Sequence, residues 1–129
     1  AVASQIAKIE KGLQDPELKI GNLESFRDFI SVDTVSNMLW TLANKGESGR
    51  IYNICSSRPL KMRDVLEKMV KLSKVKIDIR VDKAKLKFDD IPWSVGDNSK
   101  AVKLINEPIF PEDIDAIIGD ILEYYRGLR

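Results

Sequence analysis

The chain has 129 residues, enough for one modest domain. With 43% hydrophobic residues it can bury a core, and with 21 basic against 20 acidic residues its net charge is +1. That balance argues against a broad nucleic-acid or membrane footprint. There is no histidine, which removes any Ser-His-Asp or Cys-His mechanism within the chain. One cysteine and no histidine cannot build a usual zinc site. Cys55 has no partner for an internal disulfide, so a reducing cytoplasm is the simplest compartment. No apolar run is long enough to span a bilayer.

Residues 2–12 are expected to form a helix, with Val2, Ile6, Ile9 and Leu13 on one stripe and Gly12 as the stop. Asp15-Pro16 makes a turn, Leu18 to Gly21 a short strand, and a loop carrying Arg27 follows. Asp33 is placed as the N-cap of a helix from Thr34 to Asn44. Val35, Met38, Leu39 and Leu42 are its buried face, with Trp40 on the flank. Ile51 to Cys55 has the composition of a central strand. Pro59 precedes a helix from Met62 to Ser73 with the core stripe Val65, Leu66, Met69, Val70 and Leu72. Val75 to Val81 alternates as a strand with one solvated side. A loop of mixed charge runs from Lys83 to Pro92.

Asp97 caps a helix from Asn98 to about Ile105, and Pro108 and Pro111 bracket a turn. The last helix, from about Glu112 to Tyr125, buries Ile114, Ile117, Ile118, Ile121, Leu122 and Tyr125. The alternation predicts an α/β domain, a small parallel or mixed sheet covered by helices. Three short strands make a thin sheet, so one edge is expected to want a neighbour.

Two segments carry candidate chemistry. Gly21-Asn22-Leu23-Glu24 leads into Arg27-Asp28-Phe29, and Lys87 and Asp90 precede Gly96-Asp97-Asn98-Ser99-Lys100. With Val75-Lys76-Ile77, these motifs resemble extended short-chain dehydrogenase/reductase enzymes acting on nucleotide sugars. The similarity is to the GDP-mannose 4,6-dehydratase and GDP-4-keto-6-deoxymannose reductase branch. It runs along essentially the whole chain and loosens where the family's Gly-Trp-x-Pro turn is replaced by Ile105-Asn106-Glu107-Pro108.

The resemblance implies that residues 1–129 are the C-terminal, substrate-binding domain of such an enzyme. The cofactor half would be absent: there is no Gly-x-Gly-x-x-Gly run and no Tyr-x-x-x-Lys pair. It implies NADP as the parent family's cofactor and none bound by this chain alone. The parent would be a lyase or a reductase, and the isolated chain catalytically silent.

By the same resemblance Arg27 and Lys87 face the diphosphate of a GDP-sugar, and Asp90 binds the ribose diol. Lysine at 87 keeps the charge of the family's arginine and loses its planar fork. Asp89 adds an unfavourable negative charge beside it. Asn53 and Ser56 end the expected central strand, near the substrate region in the family.

Each residue also has a plainer reading. Arg27 could pair with Asp28 or Asp33, Lys87 and Asp90 could belong to a solvated loop, and Asn53 and Ser56 could be turn residues. Asp28 is expected to hold its loop by accepting local amide hydrogens, and Cys55 to be a small buried hydrophobe. Trp93, in a polar loop, is the better tryptophan for a partner contact. The alternative of another class is a non-catalytic assembly module. An exposed apolar surface, driving homo-oligomerisation or recruiting a cofactor-binding half or partner chain, is the feature expected to discriminate that alternative.

Overall fold

The computed structural model describes residues 2–82, 84, 90–106 and 113–128. Lys87, Asp89 and the Pro108–Pro111 turn lie outside the described residues. The described chain runs through helix α1 (Val2–Glu10), strands β1 (Glu17–Ile20) and β2 (Phe26–Asp28), and helix α2 (Val32–Lys45). It continues through β3 (Pro59–Lys61), α3 (Met62–Lys71), β4 (Asp78–Val81), β5 (Trp93–Ser94), α4 (Ser99–Ile105) and α5 (Ile114–Gly127).

The strands form two small sheets rather than one. β1 pairs in parallel with β4, Leu18 opposite Ile79. β2 lies between β3, antiparallel, and β5, parallel. The expected mixed α/β architecture is therefore present, split into two pieces. The β1–β4 pair has a helical cover. Ala3, Ile6 and Ile9 of α1, Val65, Leu66 and Met69 of α3, and Ile118 and Leu122 of α5 close over Leu18 and Ile77 in the main core. A smaller core joins α2 to α4 through Met38, Ala101 and Ile105.

Local chemistry explains the boundaries. Gly12 takes φ +70, a conformation that ends α1 without a side-chain penalty. Ser31, not Asp33, is the N-cap of α2, because its hydroxyl accepts from Thr34 N at 3.1 Å. Asp33 sits inside the first turn, where its charge still favours the helix N-terminus. At α4 the formal cap is Asn98, yet Asp97 accepts from Ser99 N at 2.9 Å, and that bond lowers the Asp97 pKa. Asp113 caps α5 by accepting from Asp115 N and Ala116 N.

Three expectations are corrected. Arg27 lies in a strand and not in a loop, since β2 finds partners on both sides. Residues 51–55 are not a strand: no described strand lies beside them, and side chains take their carbonyls instead. Lys100 Nζ donates to Ile51 O and Asn98 Nδ2 to Cys55 O. Several apolar residues assigned to the core are exposed, among them Leu13, Leu39, Leu72, Val75, Val81 and Ile121. Leu13 and Leu72 fall just beyond the ends of α1 and α3, where the helical stripe no longer applies.

Candidate functional site

β2 is three residues long, and its alternation sends consecutive side chains to opposite sides of its sheet. Arg27 and Asp28 accordingly build separate networks. The Arg27 guanidinium donates through Nη1 to Phe26 O and Ile91 O, both at 2.8 Å. Through Nη2 it meets Asp90 Oδ1 at 2.9 Å, as an ion pair. The other oxygen of Asp90 accepts from Asn22 Nδ2 at 2.5 Å. Asn22 Oδ1 in turn accepts from Glu24 N at 2.8 Å.

The fold thus brings together two of the four expected site residues, from positions 27 and 90. Arg27 is ion-paired, as its plainer reading held, but with Asp90 in place of Asp28 or Asp33. The pair is neither sealed nor fully solvated, with side chains 29% and 24% exposed. Arg27 has five N–H donors. Among the described residues its Nε–H and one Nη2–H carry no hydrogen bond. Both carboxylate oxygens of Asp90 keep a further lone pair. The pair therefore presents a donor side and an acceptor side, each held in place by neighbours. Asn22 was legible only as a family marker, and its role appears once the chain brings 22 beside 90.

On the other side of β2, the Asp28 carboxylate collects hydrogen bonds from distant segments. Oδ1 accepts from Ser56 N at 2.8 Å and Ser56 Oγ at 2.6 Å. Oδ2 accepts from Ser57 N at 2.9 Å and, more weakly, from Gly96 N at 3.4 Å. The expectation that Asp28 accepts amide hydrogens is met, though none of them is local. Ser57 adopts φ 58, so these bonds hold a turn that a non-glycine residue rarely takes unaided. Ser57 Oγ accepts from Asn98 N at 2.9 Å. Gly96 approaches so closely that a Cβ there would lie 2.5 Å from Cys55 Sγ. Cys55 is buried, as expected of a small hydrophobe.

Asn53 belongs to this second region. Its Nδ2 donates to Asp97 O at 3.0 Å, tying segment 51–55 to the turn before α4. No hydrogen bond among the described residues joins it to Arg27 or Asp90. Ser56 is likewise a turn residue gripped by Asp28. Trp93 packs on Phe26, ring centroids 4.9 Å apart, while remaining 55% exposed. A hollow of about 420 Å³ is lined by Glu47, Arg50, Tyr52, Lys100, Lys103 and Leu104, and Arg27, Asn53 and Asp90 are not among the described residues that border it.

A family model for GDP-mannose 4,6 dehydratase matches residues 1–128. The chain belongs to the GDP-mannose 4,6 dehydratase family. This family member is 33% identical over 87 residues to a GDP-6-deoxy-D-mannose reductase of Pseudomonas aeruginosa, across 67% of this chain and 29% of the reductase. It is 26% identical over 108 residues to a GDP-6-deoxy-D-talose 4-dehydrogenase of Aggregatibacter actinomycetemcomitans, across 84% of this chain and 37% of that enzyme.

The solved structure of RMD from Pseudomonas aeruginosa complexed with NADPH matches with a TM-score of 0.85 at 26% identity. That match covers 97% of this chain and 41% of the other. A NAD-dependent NDP-hexosamine 5,6-dehydratase, TunA, shares the fold at a TM-score of 0.79 and 21% identity, across 100% of this chain and 41% of that one. The expected place within the extended short-chain dehydrogenase/reductase fold holds. The chain of this family member spans well under half the length of these relatives.

Among the described residues no strand runs through a glycine-rich turn into a helix, the arrangement that receives a dinucleotide pyrophosphate. Among the described residues no helix is long and apolar enough to cross a membrane, and no group of acids and cysteine is placed to hold a metal ion.

Proposed function

We propose that this chain is the nucleotide-sugar-binding portion of a GDP-mannose 4,6-dehydratase-like enzyme and is catalytically silent on its own. The observation that carries the proposal is the Arg27–Asp90 pair, fixed by Asn22 and by two carbonyls, with donors and acceptors to spare. A guanidinium suits the paired oxygens of a diphosphate. A carboxylate suits a ribose diol, whose two hydroxyls both donate. In this reading Arg27 takes the diphosphate, Asp90 the ribose, and Lys87 adds a second positive charge. Asn53, on the Asp28 side of β2, is assigned to the same ligand by the family resemblance alone. NADP and the reacting groups belong to the remainder of the enzyme, and a reducing cytoplasm fits the single thiol.

Calorimetric titration with GDP-mannose, beside UDP-glucose, tests the reading. Selective binding of the GDP-sugar is expected, weakened about 10- to 100-fold by Arg27→Ala, the range for losing charge-assisted hydrogen bonds of ~1.5–3 kcal/mol. No binding of either nucleotide by the intact chain would sink it. Turnover by the purified chain alone would remove the silence.

One observation favours the second reading, a non-catalytic assembly module. Three of the five Arg27 donors are already committed within the chain, so the pair is complete enough to be purely structural. That reading expects Arg27→Ala to lower stability with no binding to lose.

A further inference from the structure

The hollow between the turn after α2 and one face of α4 is charged out of proportion to the chain. Three cations, Arg50, Lys100 and Lys103, line it against one carboxylate, Glu47. The whole chain, by contrast, carries a net charge of only +1. A positive surplus gathered around a concave surface raises the local concentration of anions.

Local structure explains how these groups meet. Gly49 takes φ 77 and Arg50 N donates to Glu47 O at 3.1 Å, which closes a tight turn. Glu47 N donates to the Tyr52 hydroxyl at 3.2 Å, and the Tyr52 ring packs against the smaller core. On α4, Ala101 and Ile105 face that same core. Lys100, Lys103 and Leu104 are three and four positions apart, so they share a neighbouring face.

The cations are positioned with donors to spare. Arg50 gives its Nε–H to Glu47 Oε2 at 3.1 Å, which occupies the one carboxylate. Both Arg50 Nη groups then have no partner among the described residues. Lys100 Nζ donates to Ile51 O at 3.1 Å and lies 6.0 Å from the centre of the Tyr52 ring. An ammonium has three donors, so further ones remain. Lys103 is exposed and has no partner among the described residues. The Tyr52 hydroxyl accepts from Glu47 N, which leaves its own proton to donate.

A phosphate monoester fits this set. At neutral pH it carries close to two negative charges and three strong acceptor oxygens. It therefore matches both the charge surplus and the unused donors, where a carboxylate brings a single charge. The hollow, about 420 Å³, has the size of a small-molecule site. Leu104 gives the esterified group an apolar wall.

We propose that this hollow binds a phosphate monoester of a small molecule. Arg50 and Lys103 take the phosphate oxygens, with Lys100 and Tyr52 completing the cradle. The proposal goes beyond the substrate reading and does not depend on it, because Arg27 and Asp90 are not among the lining residues.

The test is a titration of the intact chain followed by backbone amide NMR shifts. Glucose 1-phosphate, AMP and glucose are compared at constant ionic strength, which keeps general screening fixed. Saturable shifts are expected at Arg50, Tyr52, Lys100 and Lys103 with at least one phosphate and with no response to glucose. Whichever phosphate saturates the site identifies a sugar phosphate or a nucleotide as its source. Lys103→Gln should weaken binding roughly two- to fivefold, the scale of one exposed charge contact, and Lys103→Glu at least about tenfold. Lys103 is exposed, so both variants should fold, and circular dichroism checks that they do.

Arg27→Ala should leave these shifts unchanged. No saturable shift at the four residues, an equal response to glucose, shifts confined to Arg27 and Asp90, or a folded Lys103→Glu that binds as tightly as the parent would each overturn the site.

Discussion

Asp28 shows how much a single carboxylate organises here. Its two oxygens hold the 56–57 turn and touch the backbone at Gly96, so three chain segments converge on one side chain. Asp28→Ala would strand the amides of Ser56 and Ser57 and is expected to cost about 2–3 kcal/mol, read from chemical denaturation. Asp28→Asn retains one acceptor oxygen and should lose less. Gly96 is constrained from the other direction. Gly96→Ala places its Cβ 2.5 Å from Cys55 Sγ and 3.0 Å from Cys55 Cβ. Overpacking of this kind costs roughly 1–3 kcal/mol. Adding Cys55→Ala removes the 2.5 Å sulfur clash and keeps the 3.0 Å Cβ contact, so the double variant should recover part of the loss. An unchanged midpoint in Gly96→Ala would show that the turn yields freely.

Between elements, the strongest polar tie is Glu10 to Arg126, joining the end of α1 to the end of α5. Glu10 Oε2 accepts from Arg126 Nε at 2.7 Å, and Oε1 accepts from Arg126 Nη2 and from Lys74 N. Arg126 also donates to Leu72 O and Glu123, so one guanidinium locks three helix ends. Its pKa is raised, first by Glu10. The hydrogen bond from Arg126 is the main cause that holds the Glu10 carboxyl down at about 2 against an ordinary 4.5, with burial opposing it.

A depressed carboxylate stabilises the fold fully above its unfolded pKa and loses that contribution as pH falls to its folded one. The loss here should fall between about pH 4.5 and 2 and amount to roughly 2–3 kcal/mol. Denaturation midpoints measured across that window test it. Glu10→Gln, less stable at pH 7, should show a flatter acid limb. A variant as steep as the parent would assign the acid loss elsewhere. Ser31→Ala, removing the cap of α2, should cost about 1 kcal/mol.

At the scale of the molecule, the described residues form two cores of unequal size. Eleven buried residues bind α1, α3 and α5 to the β1–β4 pair, whereas three join α2 to α4. Local opening follows the density of buried apolar contacts. Amide exchange should therefore be slowest in α1, α3 and α5 and faster in α2 and α4. Leu122, fully buried in the larger core, should cost about 2–5 kcal/mol as Leu122→Ala. Equal protection in both regions would mean that the small core is not the weak point.

Periodicity along the chain located α1, α2, α3 and α5 and their principal inward residues, Ile6, Leu66, Ile118 and Leu122 among them, and Asp97 as a cap signal located α4, because helical spacing and capping are local properties. Motif spacing led to the family and singled out Arg27 and Asp90, since both depend only on residue identity and order. Tertiary structure decided the rest. That Arg27 pairs with Asp90 rather than Asp28 or Asp33, and that Asn22 and Asp28 organise the two sides of β2, follows from approaches across as many as 68 residues of chain. Whether residues 51–55 become a strand was equally beyond the sequence. β-branched composition sets a willingness to pair, while pairing itself needs a second strand in place.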